Sequence, residues 1–316
     1  MEKLLLDKID LNILATLSRD CRIPYSSIGS LVGLTSKSVK DRVKKMVRSG
    51  VLDKFIVRVN PAGFGYRTAP ILIRTNNRIT KDDVIRRVKQ IGDLAYHVHH
   101  FGRTSVAALM IKESLDDKTV QSLNDSLKPA TINRISVSEL PVSMSPSETD
   151  LRIIKCLLLS GARTEISEIA RKVRISEKTT TRRLNKMKDG NLLEFSIQCD
   201  PASMIGYVQF TILISVEKSH YRSVYEHMYM EFQENVLYHP STIDPDDVLI
   251  FVLFGENVFM IDFILSKVDS FEGVKNADVF ILTKWQYYDD WIIREIDERL
   301  YQTVLPKTIQ ANRQSD

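Results

Sequence analysis

Hydrophobic residues recur every three or four positions in three stretches near the start of the chain, which is the spacing of amphipathic helices. The first stretch begins at Leu4, and Gly33 stands where the second should end. Thr35 occupies the N-cap position before the third stretch. Apolar residues then alternate from Val51 to Val59, which predicts a short β-hairpin. The pattern therefore predicts three helices, with a tight turn before the third, followed by a two-stranded ribbon.

The same pattern returns about 140 residues later. Asp10-Leu-Asn-Ile-Leu becomes Asp150-Leu-Arg-Ile-Ile, Ser176 takes the N-cap position of the third helix, and residues 192–198 form the second predicted hairpin. A period of this length indicates a duplicated domain, because solenoid repeats are about 20–50 residues long. We call the three helices of each copy, together with the ribbon that follows them, a head.

Three helices followed by a ribbon form the winged helix-turn-helix plan, whose third helix enters the major groove of DNA. If the apolar stripe of that helix faces inward, its polar residues face outward, where Lys and Arg reach guanine or phosphate and Asn pairs with adenine. We therefore predict double-stranded DNA as partner. The predicted contact residues are Ser36, Lys37, Ser38, Lys40, Asp41, Lys44 and Lys45 in the first copy, and Lys178, Thr179, Thr181, Arg182, Asn185 and Lys186 in the second. The alternative is a winged helix that contacts only protein and has a solvated basic face.

Several motifs keep a fixed order in each copy. The first copy has Asp10-Leu-Asn-Ile-Leu, Arg22-Ile-Pro, Val32-Gly-Leu-Thr-Ser, Arg42-Val-Lys-Lys-Met, Gly50-Val-Leu and Asn60-Pro-Ala, and the second has Val173-Arg-Ile-Ser-Glu-Lys, Arg183-Leu-Asn-Lys-Met and Asp200-Pro-Ala. This series resembles the Lrp/AsnC (feast/famine) family of transcriptional regulators. The resemblance implies a sequence-specific DNA-binding regulator. Because the outward residues of the third helix differ between the copies, we predict that it reads DNA with two non-identical recognition helices.

Each head is followed by segments in the order strand, helix, strand, strand, helix, strand, which is the order of a ferredoxin-like unit. These segments are residues 70–74, 80–91, 94–101, 105–111, 115–127 and 131–140, and then 208–216, 219–232, 236–243, 248–254, 257–270 and 274–282. In the resembled family this unit, the RAM-type domain, senses ligands and dimerises. The resemblance therefore implies that two such units pair within this chain as a pseudo-dimer, with further homo-oligomerisation as an open alternative.

The predicted fold class is α+β, with two winged helix-turn-helix domains, each followed by a ferredoxin-like domain, and a C-terminal helix. The boundaries are 1–65 and 66–140 for the first copy, 141–147 for a linker, 148–206 and 207–284 for the second copy, and 285–316 for the last helix and tail. The linker is a short Pro/Ser stretch, which favours a fixed arrangement of the halves. The last helix is expected to pack on its own chain, and a subunit contact is the alternative.

Charge is distributed unevenly along the 316 residues, whose net charge is +4. Residues 35–58 and 163–188 each carry a net charge of +6, whereas residues 217–316 carry −9. This distribution suits two DNA-facing heads on a neutral or acidic body. The chain has no signal peptide and no run of about 18 apolar residues, so we expect a cytoplasmic protein without a membrane contact. Its three cysteines form no Cys-x-x-Cys pair, which argues against disulfides and cysteine zinc sites.

A small-molecule effector is an open expectation. Members of the resembled family bind an amino acid near a Gly-Asp-x-Asp turn between the second and third strands of the sheet. This chain has Gly102-Arg103-Thr104-Ser105 in the first copy and Asp244-Pro245-Asp246-Asp247 in the second. The candidate ligand-binding residues are Gly102, Arg103, Thr104 and Asp246. Arg103 would favour an anion, and the alternative is an arginine that faces solvent.

His97 and His99 share one face of a predicted strand and could supply two metal ligands. No third ligand can be placed, so we predict neither a metal nor another cofactor. The resembled family also has enzymatic relatives, the sirohaem decarboxylases. Their characteristic segment after the wing does not match residues 58–67 or 199–209, so we predict no enzymatic activity. A decarboxylase or a ligand sensor that does not bind DNA is the alternative.

Overall fold

The protein is described by a computed structural model over residues 3–112, 115–138, 140–238, 241–243 and 248–304. The first half contains α1 (Lys8–Arg19), α2 (Tyr25–Val32), α3 (Ser36–Arg48), β1 (Leu52–Val59), β2 (Arg67–Arg74), α4 (Lys81–Ile91), β3 (Leu94–His100), β4 (Thr104–Ile111), α5 (Asp117–Leu127) and β5 (Thr131–Ile135). The second half contains α6 (Glu148–Ser160), α7 (Ile166–Val173), α8 (Glu177–Asp189), β6 (Leu193–Cys199), β7 (Val208–Val216), α9 (Tyr221–Phe232), β8 (Ser241–Ile243), β9 (Val248–Gly255), α10 (Val258–Asp269), β10 (Val274–Tyr287) and α11 (Asp290–Val304).

The first helix begins later than the apolar periodicity from Leu4 predicts. Asp7 is the N-cap of α1, and its side chain accepts a hydrogen bond from the backbone of Asp10 while the Asp10 carboxylate accepts one from the backbone of Asp7. This capping box sets the helix start at Lys8. Three residues before Lys8, Leu5 forms an isolated parallel bridge with Ile205 in the other half of the chain.

The predicted wing hairpins are wrong. Each head contributes one strand, and β1 pairs antiparallel with β6 from the other head, so a single ribbon belongs to both heads. Alternation of apolar residues predicts a strand from local sequence alone. The strand that pairs with it lies about 140 residues away in the chain.

The shared ribbon has an approximate two-fold axis at its centre. Phe55 is opposite Ile197 and Ile56 is opposite Ser196, and the 141-residue offset between the copies converts one pair into the other. The two heads are therefore packed as a pseudo-symmetric pair within one chain.

Two arginines repeat this symmetry beside the ribbon. Arg22 donates from Nη1 to the carbonyl oxygen of Ala162 at 2.6 Å, and Arg163 donates to the carbonyl oxygen of Cys21. Each arginine thus binds the backbone just before its counterpart. Hydrogen bonds to a charged donor contribute more stability than neutral ones, so the pair reinforces the contact between the heads.

The two ferredoxin-like units share one eight-stranded sheet with the order β5-β2-β4-β3-β10-β7-β9-β8. Strand β10 makes the connection, because residues 274–281 pair with β7 and residues 282–287 pair with β3. It extends five residues beyond the segment that the sequence predicts. The expected pairing of the units within the chain therefore occurs edge to edge.

Three hydrophobic cores lie on the two faces of this sheet. One contains residues of α4 and α5 over the first half of the sheet, and another contains residues of α9 and α10 over the second half. The third core holds residues of both heads, the ribbon, part of the sheet and α11. The observed architecture is thus the predicted α+β arrangement of two helix-turn-helix units and two ferredoxin-like units. The heads, however, have no separate cores.

The C-terminal helix α11 packs on its own chain. Trp291 packs edge-on against the ring of Phe64 in the first head, and Arg299 donates to the carbonyl oxygen of Phe64 at 3.0 Å. On the second head, Lys155 pairs with Asp297. The helix therefore contacts both heads and holds them against the sheet.

Buried histidines lie at the seam where β3 meets β10. His97 accepts from or donates to the Tyr288 hydroxyl through Nδ1 at 2.7 Å, and His99 contacts Ser105 and Asp82 through its two ring nitrogens. On the opposite face His100, 5% exposed, packs against a phenylalanine ring of β10. These contacts give the histidine run a structural role in the seam.

Burial lowers the pKa of His97 to about 3 and that of His100 to about 4. The folded protein therefore binds fewer protons than the unfolded chain between about pH 4 and pH 6.5, and its stability should rise with pH across that window.

We expect the free energy of unfolding, measured by urea denaturation, to fall by about 5 kcal/mol between pH 7.5 and pH 4.5, with about half of the fall from each histidine. His100→Gln should flatten this dependence. His227→Gln, at an exposed position on α9, should leave it unchanged. Equal pH profiles for the wild type and His100→Gln would contradict the assignment.

Candidate nucleic-acid interface

Helix α3 is fixed to α1 by an arginine on the side of the helix away from the predicted DNA face. The Arg42 guanidinium binds the carboxylates of Asp7 and Asp10, each at 2.8 Å. Asp10 is 4% exposed, so its carboxylate needs this cation to be tolerated in the interior. Burial alone would raise the pKa of Asp7, but hydrogen bonds from the Asp10 backbone and from the Arg42 side chain together lower it.

The second head repeats the same clamp. Arg183 of α8 binds Asp150 at 3.1 Å and the hydroxyl of Ser147 at 2.8 Å, and Asp150 is 1% exposed. Both arginines lie in the motifs that carry the family resemblance, but reasoning from the sequence gave them no role. The signal was an aspartate near the start of the first helix in both copies, paired with an arginine in the middle of the third.

The predicted DNA-contact residues line the outer faces of α3 and α8. Those that are exposed are Ser36, Lys37, Lys40, Asp41, Lys44, Lys45, Lys178, Thr181, Arg182, Asn185 and Lys186. Ser38 and Thr179 are half-buried, and each hydroxyl is 2.9 Å from the hydroxyl of the N-cap residue. These two hydroxyls therefore help to cap the helices.

The cations on the outer faces of α3 and α8 differ from the cations beside them in whether they form ion pairs. Among the described residues, no carboxylate forms an ion pair with the cations of the outer faces, which are Lys37, Lys40, Lys44, Lys45, Lys178, Arg182 and Lys186. By contrast, Lys188 pairs with Asp20 of the first head at 2.6 Å. The free cations are thus concentrated where a nucleic acid would lie, and a shallow groove runs along the outer face of α8.

The first candidate ligand turn lies at an exposed hairpin tip. Gly102 and Arg103 are exposed and Thr104 is half-buried. The carbonyl oxygen of Arg103 accepts hydrogen bonds from the backbone and hydroxyl of Thr75, at 2.8 and 3.0 Å. Asp246, the candidate in the second copy, lies outside the described residues. Ligand binding at these positions stays a prediction.

Comparison with known proteins identifies both heads. An AsnC-type helix-turn-helix domain matches residues 6–47, and a winged helix-turn-helix DNA-binding domain matches residues 146–194. The chain carries two helix-turn-helix domains, and the first is of the AsnC type.

Two relatives show how far the sequence similarity extends. The HTH-type transcriptional regulator FL11 of Pyrococcus furiosus is 33% identical over 69 residues, which are 22% of this chain and 46% of that protein. The HTH-type transcriptional regulator Ptr1 of Methanocaldococcus jannaschii is 23% identical over 35% of this chain and 76% of its own length. The chain thus spans about half the length of several relatives that it matches.

A solved structure resembles the whole chain in fold. The siroheme decarboxylase NirDL aligns with a TM-score of 0.54 and 15% identity, covering 94% of this chain and 99% of its own. Its complex with an iron-uroporphyrin III analogue aligns with a TM-score of 0.50 at the same identity, over 95% and 100% of the two chains. The likeness shows that the two-unit fold is shared.

Among the described residues, no helix is long and apolar enough to span a bilayer.

Arg42→Ala should destabilise the protein by about 1–3 kcal/mol, because it leaves the buried Asp10 carboxylate without its cation. Lys45→Ala, on the exposed side of the same helix, should change the free energy of unfolding by less than about 0.5 kcal/mol. Urea unfolding at neutral pH measures both. Equal stabilities of the two variants would contradict the clamp.

Proposed function

We propose that the protein is a sequence-specific DNA-binding transcriptional regulator of the Lrp/AsnC type. The observation that carries the proposal is the set of exposed cations on the outer faces of α3 and α8 that pair with no carboxylate in the described part of the chain. Such cations attract phosphates and release condensed counterions on binding. The sequence similarity of both heads to helix-turn-helix domains supports the same conclusion.

Each part of the outer face has its own task in this mechanism. The lysines bind phosphates and set the register on the duplex, whereas side chains that reach base edges supply specificity. Asn185 and Arg182 of α8 carry the amide and guanidinium groups that pair with adenine and guanine edges respectively. The corresponding part of α3 offers mainly lysines. The two helices should therefore recognise different sequences.

The affinity of the protein for DNA should fall steeply as the salt concentration rises. Lys37→Ala combined with Lys40→Ala should reduce the slope of log K against log salt by about 1–2, since each lost phosphate contact lowers it by about one. Fluorescence anisotropy on a random duplex of about 30 base pairs measures this slope.

A control with the same loss of charge is Lys218→Ala combined with Lys275→Ala, at exposed positions of the acidic half. This pair should leave the slope unchanged. Equal slopes for both double variants and the wild type, or no binding at low salt, would overturn the proposal.

In vitro selection of binding sites should return two unlike half-sites at one fixed spacing, because the ribbon fixes the heads relative to each other and their outer residues differ. Substituting Arg182 and Asn185 with alanine should relax sequence preference in one half-site only. Recovery of a palindrome with equal halves would contradict this prediction.

The second candidate is a tetrapyrrole enzyme, and the full-length fold likeness to NirDL favours it. Titration with an iron porphyrin would test it, because specific binding gives a saturable shift of the Soret band. We expect no saturable shift. A shift with one porphyrin per chain, together with absent DNA binding, would replace the regulator proposal with the enzyme.

A further inference from the structure

An open groove of about 630 Å³ lies on the second head, away from the outer face of α8. Its walls are formed by α6, α7 and α11. Leu159, Val173 and Leu300 line it with apolar surface, and Leu159 is 66% exposed. The groove is open to solvent, so it can cover only part of a bound small molecule.

Four cations line the same groove: Arg152, Lys155, Lys172 and Arg174. Three of them pair with carboxylates, since Arg152 binds Glu148 at 2.5 Å, Lys172 binds Glu168 at 2.8 Å and Lys155 binds Asp297. Arg174 has no ion pair with any described carboxylate and is exposed. The groove therefore combines an apolar lining with one free positive charge.

The first head provides an internal comparison, because its residues at these four positions lack the charges. The alignment of the copies places Asn12, Ala15, Leu31 and Gly33 where the second head has Arg152, Lys155, Lys172 and Arg174. The fold of a head thus does not require cations here. They are a property of the second copy alone.

Arg174 also carries a backbone cost that Gly33 does not. Both residues end the helix before the turn in a left-handed conformation, with φ of 62° for Arg174 and 69° for Gly33. A residue with a Cβ is strained in this region, and such strain is concentrated at functional sites. An arginine in place of glycine is therefore unfavourable for the turn itself.

We propose that this groove binds a small organic anion with an apolar body, such as an aryl sulfonate or a medium-chain carboxylate. The apolar part lies on Leu159, Val173 and Leu300, and the anionic group binds Arg174. Lys172 adds a second positive charge in the groove, although it also pairs with Glu168. The proposal is independent of DNA binding by the heads, since the test contains no nucleic acid.

The test uses fluorescence titration of the full chain with 8-anilino-1-naphthalenesulfonate, and with its neutral analogue N-phenyl-1-naphthylamine. Arg174→Gly should weaken binding of the sulfonate about threefold, and Arg174→Gly with Lys172→Ala about tenfold. The neutral analogue should bind all variants alike. Arg174→Gly also relieves the strained turn, so its thermal midpoint should equal or exceed that of the wild type.

The matched control is Arg171→Ala, which removes a neighbouring exposed cation of α7 that does not line the groove. It should leave the affinity for the sulfonate unchanged. The proposal is overturned if Arg171→Ala weakens binding as much as Arg174→Gly does. It is also overturned if neither substitution changes the affinity, or if the neutral analogue is weakened to the same extent as the sulfonate.

Discussion

The antiparallel pairing of β1 with β6 is the constraint on which the rest of the structure depends. It replaces two separate wings with one ribbon, so neither head can rotate without breaking backbone hydrogen bonds in both. The Arg22 and Arg163 contacts lie beside this ribbon and repeat its symmetry. Consequently α3 and α8 are presented by one rigid body, and their cations act at a fixed separation.

A second connection between the two halves is β10, which continues past its own unit and pairs with β3. Helix α11 follows β10 directly and contacts both heads, so the last strand of the sheet is tied to the heads without a flexible linker. Ribbon, sheet and C-terminal helix therefore connect the halves at three places.

The sequence allowed correct prediction of features that depend on local spacing. The stripe of Val39, Val43 and Met46 predicted the orientation of α3 and hence its exposed lysines, because the helical repeat alone decides which side chains face the core. The same holds for the order of elements in both ferredoxin-like units. Features that depend on distant parts of the chain were missed or mistaken, because alternation specifies a strand without specifying its partner. The shared ribbon and the Arg42–Asp10 clamp belong to this group.

Fusion of the two copies has a consequence for how such a protein can change. In a homodimer every substitution is present on both sides of the axis, so both halves of the assembly change together. Here the second copy has Arg174 at the position where the first copy has Gly33. Likewise, α8 has Asn185 without a matching asparagine on α3. Because covalent linkage makes the pairing of the heads independent of protein concentration, one head is free to acquire a new specificity while the other preserves the old one.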